Sequence, residues 1–290
     1  MKSRLYRITI QTPSMETIFI TPPFTVKIKV DRKKMASTNK ANITIYNLGK
    51  ATRNKLYKDR YDMINYWQIK IEAGYGDNDR SDFSNMLNLP EIFRGNIYEC
   101  NSQKDGNNWI TSIDAFDGMY GIQNGFVSQT FNAGTTNKNI VQSLIGTMSK
   151  LTPGSLGSPT DGSITKGQVI FGQSKKELNT QTNGQWFIDN EKVHVLGDDE
   201  VIGDQIIKLD SSLLRKTPKR SETFLDVDCL FFPEANIGQI IAFESEEEIY
   251  NGQYACWGLS HDFNYSGASC EDSGTVLNLY CGAAVLVPVV

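Results

Sequence analysis

The sequence predicts a mainly β protein with an α/β middle: two similar small β-barrel domains per chain joined by an α/β region. Three observations predict it. Apolar residues recur with period two, the mark of half-buried strands, over residues 1–120 and again over 205–290. Between them, residues 121–204 carry one clear helical period and one short hairpin pattern. A length of 290 residues suits two compact domains, or one large one with insertions.

In the first region Tyr6, Ile8 and Ile10 alternate with polar residues, and Phe24, Val26, Ile28 and Val30 alternate with Thr25, Lys27 and Lys29. Ile43 and Ile45 continue the pattern, as do Trp67, Ile69, Ile71 and Ala73. Residues 92–100 and 109–116 read as strands joined by the turn residues 104–108, with a short helical piece over 52–57. In the middle, Ile140, Val141, Leu144, Ile145 and Met148 fall on one face of a helix over 136–150, with Thr or Asn to cap it. The Pro-, Gly- and Ser-rich stretch 152–167 reads as loop, and 174–182 as a second short helix. Trp186-Phe187-Ile188 and 192–196 form a hairpin around Asp189-Asn190. Strands return at Leu225, Val227 and Cys229, then over 237–244, 253–263 and 274–281, with turns at Asn251-Gly252 and Ser266-Gly267. No short period repeats, which excludes a solenoid or propeller.

The composition narrows function. Apolar residues are 39%, enough for a large core, and a net charge of −4 argues against nucleic acid as the main partner. No apolar run reaches the length of a membrane span, and residues 1–7 lead straight into a strand pattern without a signal-peptide core. Five cysteines, with no CxxC pair, suggest reduced thiols of a protein made in a cytoplasm. The charge is unevenly placed: residues 1–100 carry net +7 and the remainder net −11. Lys27, Lys29, Lys33 and Lys34 are candidates for one partner or inter-subunit surface, and Glu246, Glu247 and Glu248 for another. Solvated faces are the plainer reading of both clusters.

Catalytic chemistry finds little support. Ser260-His261-Asp262 sits on a strand, where neighbours point to opposite faces and cannot converge. His261 is expected to make a structural hydrogen bond, and His194 to lie on the polar face of its hairpin. The acidic stretch 76–82 has calcium-loop spacing but lacks the glycine at its sixth position and the acid at its twelfth. Gly154-Ser155-Leu156-Gly157-Ser158 lacks the Lys of a phosphate loop. Cys256 and Cys281 are expected to pack as small hydrophobes. The aromatic residues form no stacking platform interleaved with Arg and Lys. No catalytic residue, metal site or cofactor is expected.

Two stretches carry a resemblance. The first runs through Ala41-Asn42-Ile43-Thr44-Ile45-Tyr46-Asn47-Leu48, Ala73-Gly74-Tyr75, Phe93-Arg94-Gly95-Asn96-Ile97 and Asp117-Gly118. The second runs through Leu213-Leu214-Arg215-Lys216-Thr217-Pro218, the strand 224–232 with Pro233, Ile237-Gly238-Gln239, Asn251-Gly252 and Leu259-Ser260-His261-Asp262. In this order they resemble the N- and C-terminal barrels of phage contractile-tail baseplate hub proteins, a family shared with type VI secretion and pyocin spike-hub proteins. Ser212 stands where the family often has Gly, and the tail 283–290 has no counterpart.

The resemblance implies a structural virion protein, assembled in the host bacterial cytoplasm and not an enzyme. It implies a homotrimer whose barrels make a near-sixfold ring between the hexameric tail tube protein and the trimeric spike protein. Tape-measure and baseplate wedge proteins are further expected partners, and DNA would pass through without specific binding. A conduit wall lined by acidic residues is a separate electrostatic hypothesis for that passage. The alternatives are another β-rich tail component, such as a tube-initiating or distal tail protein, and a cell-wall hydrolase with converging carboxylates. A glycan-binding module would need Trp67, Trp109 or Trp186 exposed along a groove.

Overall fold

The computed structural model describes residues 3–76, 88–203, 205–266, 272–282 and 285–289. Seven strands occupy the N-terminal region: β1 (Ser3–Gln11), β2 (Thr17–Ile20), β3 (Val26–Lys33), β4 (Lys40–Tyr46), β5 (Gln68–Gly76), β6 (Glu91–Asp105) and β7 (Asn108–Phe116), with helix α1 (Lys50–Leu56). The middle holds α2 (Met119–Asn124), β8 (Phe126–Phe131), α3 (Asn137–Gly146), β9 (Thr152–Leu156), β10 (Gln168–Gln173), α4 (Ser174–Gln181), β11 (Trp186–Asp189) and β12 (Lys192–Val195). Eight strands follow: β13 (Glu200–Ile202), β14 (Ile206–Leu209), β15 (Lys219–Ser221), β16 (Phe224–Leu230), β17 (Ile240–Phe243), β18 (Gly252–Tyr265), β19 (Gly274–Tyr280) and β20 (Val287–Val289). The chain is mainly β, as its alternation requires.

The two strand-rich regions share one sheet. Its path runs β15-β16-β19-β18-β3-β4-β7-β6-β5-β1-β2, with β17 and β14 branching from β18. The N-terminal part is antiparallel throughout and curls: Val26 and Ile28 of β3 enter the same core as Ile8 and Ile10 of β1, five strand steps away. The Tyr6 hydroxyl spans the gap, donating to the Phe24 carbonyl at 2.6 Å. The path stays open among the described residues, so this is a curled sheet around a core rather than a closed ladder. The C-terminal part wraps a second core built on Leu225, Val227, Leu259, Leu277 and Leu279, and includes one parallel pair, β14 with β17.

Strand β18 links the halves. One edge pairs with β19; the other pairs with β17 through Gly252–Ala255 and then with β3 from Gly258 to Tyr265. The change of partner coincides with a register shift between Cys256 and Gly258, the local twist that a bulge supplies. Phe263 and Tyr265, beyond this point, complete the N-terminal core together with Phe231.

The middle has its own core. Helix α3 is capped by Thr136, whose side chain accepts from the Asn139 N–H, and it buries Ile140, Val141, Leu144 and Ile145. Trp186, Ile188, Val193 and Val195 of the hairpin face the helix. Part of the stretch read as loop is strand: β9 pairs in parallel with β12. Pro153 is tolerated because β9 is the edge of its sheet. The C-terminal tail finds a place too, β20 lying parallel to β13.

The histidines are both interior. His261 is fully buried, with Nδ1 at 2.9 Å from the Thr275 hydroxyl. That hydroxyl also accepts from the Phe232 N–H at 2.9 Å. His194 corrects the expectation of a polar face: it is buried, stacks on Phe187, and accepts from the Ser155 N–H at 3.0 Å. The paired strand β9 covers it, with Gly154 leaving room for the ring. Burial is the main cause that drives His194 down to about 4 and His261 well below the usual imidazole range.

A depressed imidazole pKa means that the unfolded chain binds protons which the fold refuses. Stability therefore falls as pH drops from about 6.5 toward about 4, by about 1.4 kcal/mol per pH unit for each histidine. Urea denaturation of wild type, His194→Gln and His261→Gln across this window is expected to show a shallower loss in each variant. An unchanged slope would place the proton uptake elsewhere.

Candidate functional site

The three regions meet at a polar joint, and one side chain touches all of them. The alternation of β3 that sends Val26, Ile28 and Val30 inward continues to Arg32, which is fully buried opposite Leu259 of β18. Its Nη1 donates to Asp189 Oδ1 at 3.0 Å, at the end of β11. Its Nη2 donates to the Ala235 carbonyl at 3.1 Å and to Asn236 Oδ1 at 3.0 Å, in the C-terminal region. A guanidinium suits this place because its planar fork can satisfy several acceptors at fixed angles.

The hairpin next to Arg32 is held from the N-terminal side. Its turn residues are Asn190 and Glu191, one position later than the sequence suggests, with φ of 53° and 64°. Such angles are costly for Glu. Asp117 offsets the cost by accepting from the Asn190 N–H at 2.6 Å and the Glu191 N–H at 2.8 Å. Burial raises the Asp117 carboxyl well above its usual range and the nearby Asp189 adds to this, while the two N–H donors pull it back. Asn39 donates to the Ile188 carbonyl at 2.7 Å, and Glu191 accepts from the Tyr66 hydroxyl and from Gln68 Nε2.

Lys34 belongs to this joint, which corrects its assignment to an outward basic surface. It is buried, with Nζ at 2.9 Å from the carbonyls of both Gly197 and Glu200 and set over the Trp257 ring. Burial lowers its ammonium to about 8, against the opposing pull of Asp198, Glu200 and Asp199. Lys27, Lys29 and Lys33 are exposed. Their face is not purely basic: Lys29 lies opposite Asp262 of β18, and Lys40 pairs with Asp31 at 3.7 Å. Glu246, Glu247 and Glu248 are exposed on the loop between β17 and β18.

An open cleft of about 620 Å³ lies over the joint, lined among others by Glu91, Arg94, Asp189, Lys192, His194 and Glu234. Its polar groups are largely committed to the fold. Glu91 holds Arg94 at 2.7 Å and Lys70 at 3.4 Å, Asp189 holds Arg32, and His194 accepts from the backbone. Ser260 donates to Asp31 at 2.7 Å while His261 points into the core, so these neighbours diverge. Among the described residues no group of three or more His, Cys, Asp or Glu could hold a metal, and no helix is long and apolar enough to cross a membrane. The acidic stretch 77–82 lies outside the described residues. Burial pushes the thiols of Cys100, Cys229 and Cys256 up to about 12, so they remain protonated packing groups. The tryptophans share no groove: Trp186 is buried, Trp67 packs against the N-terminal core, and Trp109 lies under Arg53.

Removing Arg32 strands Asp189 in the interior. Arg32→Met is expected to cost about 3–5 kcal/mol in urea denaturation, whereas Arg32→Met with Asp189→Leu recovers most of it. Equal losses in the single and double variants would show that packing volume matters rather than charge.

The chain is similar in fold to a 43 kDa tail protein of prophage MuSo2 from Shewanella oneidensis, at TM-score 0.60 and 8% identity over 94% of this chain and 96% of that one. It is similar to a tail protein from Neisseria meningitidis MC58 (TM-score 0.56, 9% identity, 95% and 96% covered). A component of the type VI secretion system from E. coli matches at TM-score 0.56 and 6% identity, over 90% of this chain and 75% of that one. By sequence, no curated protein matches. A family model, baseplate hub gp41, matches residues 5–267, spanning the curled N-terminal sheet, the middle core and β18. The chain belongs to the baseplate hub gp41 family.

Proposed function

We propose that this protein is the structural hub of a phage contractile-tail baseplate, working as an adaptor without turnover. The observation that carries the reading is the family match over residues 5–267, which takes in the N-terminal strands, the middle, the joint and the C-terminal region as far as β18. In this reading residues 1–120 and 205–290 are two barrel-type hub domains joined by 121–204, and three chains set six of them in a ring. One face takes the hexameric tail tube protein and the other the trimeric spike protein, with tape-measure and wedge proteins as further neighbours. The central passage lets DNA through without specific binding, and an acidic wall would favour this by repelling phosphate. The protein is assembled in the host cytoplasm and resides in the virion tail.

The physical organisation supports a passive part. The buried joint fixes the two halves against each other, which a symmetry adaptor needs. The exposed Lys27, Lys29 and Lys33 and the exposed Glu246, Glu247 and Glu248 are proposed contact surfaces for different neighbours.

Light scattering with negative-stain imaging of the same peak tests the reading. The expected species has three times the chain mass of 32.5 kDa and a central hole. A sixfold ring would move the assignment to a tube-initiating or distal tail component. Lysis of purified peptidoglycan would overturn the passive role.

A further inference from the structure

Two surface features outside the joint carry opposite charge. The first is a cleft of about 770 Å³ lined by Lys50, Arg53, Asn54, Tyr57, Ser102 and Trp109. None of its lining residues is acidic. Arg53 stacks over Trp109 at 3.7 Å, with Tyr57 exposed beside them. The cleft thus offers cations and aromatic surface together, which suits an acidic segment with an apolar side chain.

The second feature is the loop 244–249 between β17 and β18. Glu244, Glu246, Glu247 and Glu248 are exposed, and Ile249 beside them is 73% exposed. Arg215 and Lys216, which line a pocket with Glu246 and Glu247, are paired with other acids. Lys216 pairs with Asp228 at 2.8 Å and Arg215 with Asp272 at 3.4 Å. The loop therefore presents acids and one bare aliphatic group with no cation of its own chain paired to them among the described residues.

The topology sets these features at opposite ends of the sheet. The loop precedes Gly252, the first residue of β18. Following the register from the other end, Tyr265 lies opposite Val26, Val26 opposite Ile45, and Ile45 opposite Thr111, two residues along β7 from Trp109. With 14 residues in β18 the separation is about 45 Å along the strand direction. A patch and its complement so far apart cannot meet within one chain.

We propose that the occupant of the Lys50–Trp109 cleft is the 244–249 loop of a second copy, joined head to tail. The inference rests on the hub reading above and specifies its inter-subunit contact. Distinct, complementary patches make a heterologous contact, which repeats from copy to copy and closes as a ring when the rotation allows. The glutamates face Lys50 and Arg53, and Ile249 covers the aromatic floor of Tyr57 and Trp109.

Sedimentation equilibrium over a concentration series, at low and high salt, tests the contact. Lys50→Glu with Asn54→Glu reverses the cleft, and Glu246→Lys with Glu247→Lys reverses the loop; all four positions are exposed. Circular dichroism checks that each variant is folded. Each reversal is expected to weaken self-association by about tenfold or more, and the chain bearing both reversals to regain it. Self-association undiminished by either reversal alone would overturn this contact while leaving the trimeric hub intact. A wild type that stays monomeric throughout would overturn the contact and the self-assembling trimer together.

Discussion

A strand has two edges, and the architecture turns on how β18 spends them. One edge pairs with β19 alone, from Ala255 to Asp262, while the other is divided between β17 and β3. The division makes one sheet out of two strand-rich regions and sends the end of β18 into the N-terminal core. Arg32 lies beside the handover, opposite Leu259, and its buried guanidinium ties the middle hairpin to the same point. The orientation of all three regions follows from this small neighbourhood.

The cores and the joint obey different physics. Each core gathers aliphatic and aromatic side chains without directional demands, and supplies most of the stability. The joint is made of single hydrogen bonds with defined donors: Asn39 to the hairpin carbonyl, the hairpin N–H groups to Asp117, Arg32 to three acceptors, Lys34 to two carbonyls. Buried ion pairs of this kind contribute little net stability, because desolvation cancels most of the attraction. What they do is penalise every arrangement that leaves a charge stranded. Rigidity between the regions therefore comes from the cost of misplacement rather than from buried area.

Much of the fold was legible. The alternation of β3, β5, β6, β7, β16 and β18 and the helical period of α3 appear in the sequence because half-buried elements must show them. The parallel strand β9 was not legible, since Pro153 and Gly154 carry no strand signal and its edge position is a tertiary fact. The joint was partly legible. Extending the period of Val26, Ile28 and Val30 by two steps and then four places Arg32 and Lys34 on the inward face, yet reading the run as charge alone obscures it. Nothing local reveals that Asp189 and Asn236 would meet Arg32, as 157 and 204 positions separate them from it. Charge density along the chain misleads for the same reason: Lys29 gains Asp262 as a neighbour only when the sheet forms.

The seam between β3 and β18 also has a consequence in time. Asp31 and its partner Ser260 are 229 positions apart, so at ribosomal speeds the second strand is made about 10–45 s after the first. Until then the nascent N-terminal half holds an open β edge and a core lacking Phe231, Phe263 and Tyr265. An uncovered edge of this kind recruits other chains. Lys27, Lys29 and Lys33 project from that edge strand at alternate positions, interrupted only by Asp31, and charges so placed discourage pairing with a foreign strand. The same lysines that face outward in the finished protein would thus guard the unfinished one during synthesis, keeping the vacancy open for a strand that has yet to be translated.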